Sequence, residues 1–313
     1  MLRAMSWLLG ALVVVVALCL AAGCYLTELA LRPRVERAEV PYLEHFAADY
    51  PTQAAWFEAL QQEGRLSEHT ITAADGTLLH AYLIAADEPT DRTAVVVHGY
   101  TDHPFGMLQY AWIYHQQLRC NVLLPALRYH GKSGGKAIQM GWGDRLDLQA
   151  WIAHLPTLCG GEQRVVVHGL SMGGAATMML AGEAELDPSV RCLVDDCGYM
   201  GVWEQFRKEL REDYHLPTFP ILYFADWICR LRFGWSFQEA SALEAVARSA
   251  RPMLFIHGGN DHYVPTAMVY PLHAAKQGEK ALWIAPDSGH ADSMIDHPTE
   301  YTEQVVEFVQ RYL

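Results

Sequence analysis

One stretch of the chain places a serine where it could act as a nucleophile. Gly169-Leu170-Ser171-Met172-Gly173 follows the β-branched run Val165-Val166-Val167-His168 and leads straight into the apolar segment Met172–Ala181. A serine flanked two residues on either side by glycine suits a sharp strand-to-helix turn that lifts its hydroxyl clear of a sheet. The spacing alone is common. Its position between a strand and a helix points to acyl transfer, with Ser171 attacking a carbonyl. The amide of Met172 opens the helix and faces the spot where negative charge would develop on the carbonyl oxygen.

Such chemistry needs a base, an acid and a second oxyanion donor. The chain has fifteen histidines. His290, in Ser288-Gly289-His290-Ala291-Asp292, follows the last strand, Ala281–Ala285, and is the expected base. His257 ends a strand and His168 precedes the serine turn, and both read as structural. The acid holds the base's tautomer and steadies its charge. Asp261 fits, just after the strand Pro252–His257, with Asp195-Asp196 at the end of the preceding strand as a rival. Asp196 is instead expected to brace the chain where it leaves that strand. The second amide is assigned to Tyr100, after Val95-Val96-Val97-His98-Gly99, where glycine permits a tight turn. His98 reads as a loop brace. Thr101, Asp102 and His103 are expected to line the pocket mouth.

The elements that position these residues can be read along the chain. His69–Ala73 and Leu78–Ala85 form a hairpin at Asp75-Gly76. Thr93–His98, Cys120–Pro125, Arg164–His168, Val190–Asp195, Pro252–His257 and Ala281–Ala285 are strands. Met107–Leu118, Asp144–Leu155, Met172–Ala181, Thr266–Ala275 and Thr299–Tyr312 are helices. The helix from Asp144 offers Leu146, Leu148, Trp151, Ile152 and Leu155 for a buried face. Short apolar strands alternating with helices make an α/β fold: a mostly parallel sheet flanked by helices, with antiparallel strands from the first hairpin. Residues 199–250 interrupt this rhythm with an aromatic-rich insertion, read as a helical cap over the carboxyl ends of the strands. Residues 32–67 read as a linker with a helix through Ala54–Gln62, and 68–313 as the main domain.

Residues 1–31 form a separate N-terminal segment. Trp7–Thr27 is 21 residues without a charge. A bilayer core needs about 20 residues in a helix, whereas a signal peptide has an apolar core of about 7–15. A single transmembrane signal-anchor is expected. Two other readings are lipoprotein processing at Leu20-Ala-Ala-Gly-Cys24, where Ala21 replaces the usual bulky residue, and cleavage after Ala21–Gly23. The positive-inside bias of Arg32, Arg34 and Arg37 over Arg3 would put the domain in the cytoplasm. A translocated signal-anchor would put it outside, and the extracytoplasmic placement is the one adopted.

Composition agrees with a packed domain: 51% hydrophobic and 19% charged residues argue against disorder. A net charge of −13 repels nucleic acid and anionic headgroups. Five of the seven cysteines lie beyond the N-terminal run, at spacings that match no zinc or disulfide framework. They read as small buried hydrophobes.

The order Ser171, Asp261, His290, together with His98-Gly99-Tyr100 and Arg128-Tyr129-His130-Gly131-Lys132-Ser133-Gly134-Gly135, resembles the α/β-hydrolases. The resemblance runs from about residue 68 to 313. It lies within the monoacylglycerol-lipase, esterase and acylaminoacyl-peptidase-like group, in a bacterial form with an N-terminal hydrophobic segment. It implies a carboxylic ester hydrolase needing no metal or organic cofactor. The family usually has Asp two residues before the loop arginine; here Ala126 precedes Arg128, which bears on loop rigidity. Gly131-Lys132-Ser133 lacks the glycine spacing and following helix of a phosphate loop. The expected substrate is a small-molecule ester, short-chain or lipid-like. Two alternatives are an aminoacyl-peptidase-like amide hydrolase, which here lacks a large gating domain, and a non-catalytic binding module.

Overall fold

The β-branched runs form one eight-stranded sheet. The computed structural model describes residues 2–313, the side chains of residues 2–4 and 11 excepted. The Arg3 side chain, used above for orientation, therefore lies outside the described residues. Two compact units emerge: residues up to Pro33 with Gly201–Ser241, and Arg34–Met200 with Ala242–Leu313.

The larger unit carries strands β1 (Leu66–Thr72), β2 (Leu78–Ile84), β3 (Arg92–Val97), β4 (Asn121–Pro125), β5 (Arg164–Leu170), β6 (Val190–Asp196), β7 (Met253–Gly258) and β8 (Lys280–Ala285). Their spatial order is β1-β2-β4-β3-β5-β6-β7-β8. The pairs β1/β2 and β2/β4 are antiparallel and the rest parallel. Central strands carry unbroken apolar runs because both faces are covered: Val95, Val96 and Val97, like Val165, Val166 and Val167, are fully buried. Edge strand β1 is exposed on alternate residues over much of its length.

The helices, in chain order over both units, are α1 (Leu2–Leu31), α2 (Val40–Asp49), α3 (Pro51–Gln62), α4 (Leu108–Trp112), α5 (Asp144–Cys159), α6 (Met172–Ala181), α7 (Val202–Glu212), α8 (Thr218–Phe233), α9 (Ala242–Arg248), α10 (Val269–Ala275), α11 (Ser293–Asp296) and α12 (Pro298–Gln310). Helices α2 and α3 bring Phe46, Phe57 and Leu60 into the core beside Tyr82 and Phe105.

Two elements depart from the periodicity. The helix expected over Met107–Leu118 is a 3₁₀ turn, the short α4 and a π turn at Ile113–Gln117. Ile113, Tyr114 and His115 are consecutive and all buried, which one face of a regular α-helix does not allow. In α5, Leu148, Trp151, Ile152 and Leu155 are buried, but Leu146 is half exposed. Buried positions go instead to two carboxylates. Asp147 receives bonds from Arg128 Nε and Nη2 at 2.6 and 2.8 Å, and Asp144 accepts from the Gly141 amide.

In the smaller unit α1 packs on α8. A Cβ at Gly23 would lie 3.1 Å from Phe224 Cβ and the Ala225 nitrogen, so the two backbones come close there. Thr27 Oγ1 donates to Gly23 O at 2.7 Å and approaches Ala225 O at 3.3 Å. Arg232 pairs with Glu28 at 2.7 Å. Helix α8 begins with Phe219 in an extended conformation, φ −93° and ψ 133°. Trp203 of α7 stacks edge-on against Tyr223 at 5.0 Å. The insertion expected to be helical is so, as α7, α8 and α9.

Candidate active site

Steric exclusion shapes the turn between β5 and α6. A Cβ at Gly169 would lie 2.0 Å from Gly173 O, and one at Gly173 would lie 2.3 Å from Val97 O. Neither position has room for a side chain. Ser171 between them is held at φ 55°, ψ −114°, outside the comfortable range of an L-residue. Its N–H donates to Asp196 O at 2.7 Å, which ties the turn to the end of β6.

The structure brings Ser171, His290 and Asp261 into one hydrogen-bonded chain. Ser171 Oγ lies 2.8 Å from His290 Nε2, and His290 Nδ1 lies 2.7 Å from Asp261 Oδ2. The carboxylate only accepts, so Nδ1 carries the proton and Nε2 is free to accept from the hydroxyl. The loops bearing Asp261 and His290 are laced together. Gly259 N–H donates to Ala285 O at 2.8 Å, Asn260 N–H to Ser288 O at 2.9 Å, and a Cβ at Gly258 would meet Gly289 O at 2.3 Å.

Burial pushes the Asp261 carboxyl up, but hydrogen bonds from His257 and His290 outweigh it and hold the group at about 2. The backbone N–H groups of Tyr263 and Val264 also donate to its Oδ1, each at 2.9 Å. His257, structural by its place at a strand end, also reaches the site. Its Nε2 donates to Val264 O at 2.9 Å and lies 3.4 Å from Asp261 Oδ2. Burial works against the charged imidazole, yet Asp261 and Val264 shift it upward overall. The signal was present as a histidine four residues before the acid, but only the β7 turn makes that spacing a contact.

The rival carboxylates stand elsewhere. Asp196 Oδ2 accepts from Tyr301 OH at 2.7 Å, and Tyr301 OH and Tyr114 OH lie 3.0 and 2.9 Å from the two nitrogens of His168. Asp196 thus ties β6 to α12 under the site. Burial raises it to about 6 and Asp195 to about 7. Asp195 Oδ1 accepts from the Gly198 amide.

Met172 is the first residue of α6, where helix amides lack an intrahelical carbonyl. Tyr100 follows Gly99, whose Cβ position would lie 3.6 Å from Ser171 Cβ. Two neutral histidines pin the residues on either side of Tyr100. His98 Nδ1 donates to Gly99 O at 2.8 Å while its Nε2 accepts from Leu127 N–H at 3.0 Å. His130 Nε2 accepts from Thr101 N–H at 3.2 Å while its Nδ1 donates to Arg128 O at 2.8 Å. Burial lowers His130 to about 4 and pushes His98 well below the usual range, so both keep the neutral form that accepts. Together with Ser133 Oγ donating to Ala126 O at 2.7 Å, these bonds supply the loop rigidity that the Ala126 substitution put in question. His103 does not line an opening. It is buried, stacks on Tyr42 at 4.9 Å and accepts from the Phe105 amide.

Among the described residues, one group could in principle hold a metal: Cys197, Asp261 and His290, whose ligand atoms lie within 4.8 Å of one another. The donor set fits poorly. His290 Nδ1 is committed to Asp261, and burial pushes the Cys197 thiol well up, away from the thiolate that a metal requires.

Residues 94–304 match the alpha/beta hydrolase family. The uncharacterized protein YqkD of Bacillus subtilis (strain 168) is 32% identical over 253 residues, covering 81% of this chain and 82% of its own. The Pyrococcus furiosus esterase Pf2001 superposes with a TM-score of 0.64 at 24% identity, over 79% of this chain and 92% of that one. An acylaminoacyl peptidase superposes with a TM-score of 0.58 at 16% identity, over 79% of this chain and 41% of its own, a likeness of fold alone. The match across most of the sheet and its flanking helices, with a relative of similar length, leads to one conclusion: the chain belongs to the alpha/beta hydrolase family.

Proposed function

We propose that this protein is a serine hydrolase that cleaves carboxylic esters, short-chain or lipid-like, through an acyl-serine intermediate. The observation that carries the reading is the unbroken chain from Ser171 Oγ through His290 to Asp261, at 2.8 and 2.7 Å. His290 Nε2 takes the Ser171 proton as Oγ attacks the ester carbonyl. The amides of Tyr100 and Met172 receive the oxyanion. Asp261, ionised down to about pH 2, balances the imidazolium. His290 returns the proton to the leaving alcohol, then takes one from water, which releases the acid and restores Ser171. The family supports hydrolysis, and the fold shared with an esterase agrees with ester substrates.

The test is a chain-length series of p-nitrophenyl esters beside aminoacyl anilides. Ester turnover that Ser171→Ala abolishes supports the reading, and turnover surviving that change rejects Ser171 as nucleophile. Anilide cleavage outpacing ester cleavage favours the peptidase reading. A folded protein that a fluorophosphonate fails to label favours a binding module.

The second part of the proposal is that α1 anchors the protein in a membrane, with the hydrolase unit extracytoplasmic. Met5–Leu31 is long and apolar enough to cross, and few of its residues are buried. Retention of the full chain in membranes after alkaline carbonate extraction tests the anchor. Protease access in intact cells tests the side.

A further inference from the structure

The level at which α1 would leave a bilayer can be fixed by length. A hydrocarbon core about 30 Å thick takes about 20 helical residues. Counted from any start between Leu2 and Trp7, those residues end between Ala21 and Leu26. The docking point on α8, Gly23 against Phe224 and Ala225, falls inside that window. Met5–Leu18, where α1 is exposed throughout its described side chains, spans only about 21 Å and cannot cross alone. An anchored α1 therefore brings α8 to the membrane surface.

The composition of α8 suits that level. Tyr223, Trp227 and Leu231 recur every four residues and are 50%, 53% and 65% exposed, with Phe219 just before them at 73%. This row is apolar at its start and aromatic at its middle, where Tyr223 and Trp227 bracket the Ala225 contact. Tyrosine and tryptophan favour the boundary between hydrocarbon and headgroups. The one charge at this level of α8, Asp226, accepts from the Phe237 amide at 2.6 Å, and further along both helices charge gathers in Arg230 and in the pairs Arg232–Glu28 and Arg32–Glu28. The close packing of Gly23 and Thr27 on Ala225 is the small-residue contact that serves helix pairs in lipid.

We infer that the outer face of α8 — Phe219, Tyr223, Trp227 and Leu231 — lies in the interfacial layer of a lipid bilayer beside α1. The inference rests on the anchor reading. It makes the insertion a second membrane contact, and it directs the protein toward substrates that partition into lipid. The net charge of −13 favours zwitterionic over anionic headgroups.

The test uses the full chain in phosphatidylcholine vesicles. The photo-crosslinker p-benzoylphenylalanine is placed singly at position 12, 219, 227 or 270, and lipid adducts are read by mass spectrometry. Leu12 lies in the anchor, and Tyr270 is an exposed residue of the other unit. Lipid adducts at 12, 219 and 227, about tenfold above the yield at 270, support the inference. Adducts at 12 with none at 219 or 227 overturn it and leave the anchor standing. No adduct at 12 overturns both. A protein–protein adduct at 219 or 227 in place of lipid also overturns it, in favour of a second copy of the chain on that face.

Discussion

His257 and His290 share one oxygen of Asp261: Oδ2 lies 2.7 Å from His290 Nδ1 and 3.4 Å from His257 Nε2. With the Tyr263 and Val264 amides on Oδ1, the carboxylate is surrounded by donors. Most of what can be tested at the site follows from that crowding.

The Asp261 carboxyl should leave no break in the acid limb of the pH–rate profile. A carboxyl lowered in the folded state keeps its stabilising contribution above its ordinary value and loses it only as pH falls through the folded one. For Asp261 that is about 2. Above about pH 3 the carboxylate is therefore ionised and its charge does not change. The logarithm of kcat/KM for a p-nitrophenyl ester should show no break from Asp261 between neutrality and about pH 3. Asp261→Asn should lower kcat by about 10³–10⁴-fold while Ser171 remains in place.

His257→Gln removes one of the donors that hold Asp261 down. About tenfold in kcat is expected, with KM little changed, corresponding to roughly 1.4 kcal/mol of lost support. The distinguishing sign is a new break in the acid limb, absent from the wild type, as Asp261 rises. A variant that merely loosened the fold would lower thermal stability and leave the shape of the profile intact.

Tyr301→Phe should cost stability and leave turnover nearly unchanged. The hydroxyl donates to the buried Asp196 at 2.7 Å, and its loss leaves that carboxyl short of a partner for about 1–3 kcal/mol in denaturant titrations. The cost should depend on pH. Asp196 is raised to about 6 by burial, so its contribution is present below the ordinary carboxylate range and lost as pH rises through about 6. Removing Tyr301's bond raises it further, so the deficit should be larger at pH 8 than at pH 5.

His130→Phe keeps a ring but deletes the acceptor for Thr101 N–H at 3.2 Å. The Tyr100 amide then loses one of its two pins. We expect kcat to fall about tenfold with KM steady, the pattern of an interaction made only in the transition state. Steady-state kinetics at pH 7 checks it; a rise in KM at constant kcat would show that the loop binds substrate without serving the oxyanion.

The serine turn was legible because its sterics leave so little choice: Gly169 and Gly173 admit no side chain, and few other sequences make that turn. The central strands were legible because burial on both faces demands unbroken valine runs. Helix α2 was not. It buries a single residue, Phe46, so it carries little periodic signal. The break at Ile113 was hidden for the opposite reason, since three neighbouring residues are buried and no face stands out. Leu146 misled because the inward positions beside it go to Asp144 and Asp147, whose burial depends on Arg128 and the Gly141 amide arriving from elsewhere. The role of His257 was illegible on similar grounds, since a histidine four residues before an aspartate touches it only when the intervening turn folds back.

The contact of Gly23 and Thr27 with Ala225 changes what trimming the N-terminus would mean. If α1 were a mere leash, a chain starting after the apolar run would be a soluble version of the same enzyme. Instead α1 is half of a two-helix interface. Processing at Cys24 would leave Thr27 and Glu28 on α8 but discard Gly23, and deletion through Leu31 would remove all three contacts. Any trimming of α1 would therefore also alter the fold around α8, and shortened versions made for crystallisation will need α8 covered by detergent or by a supplied helix.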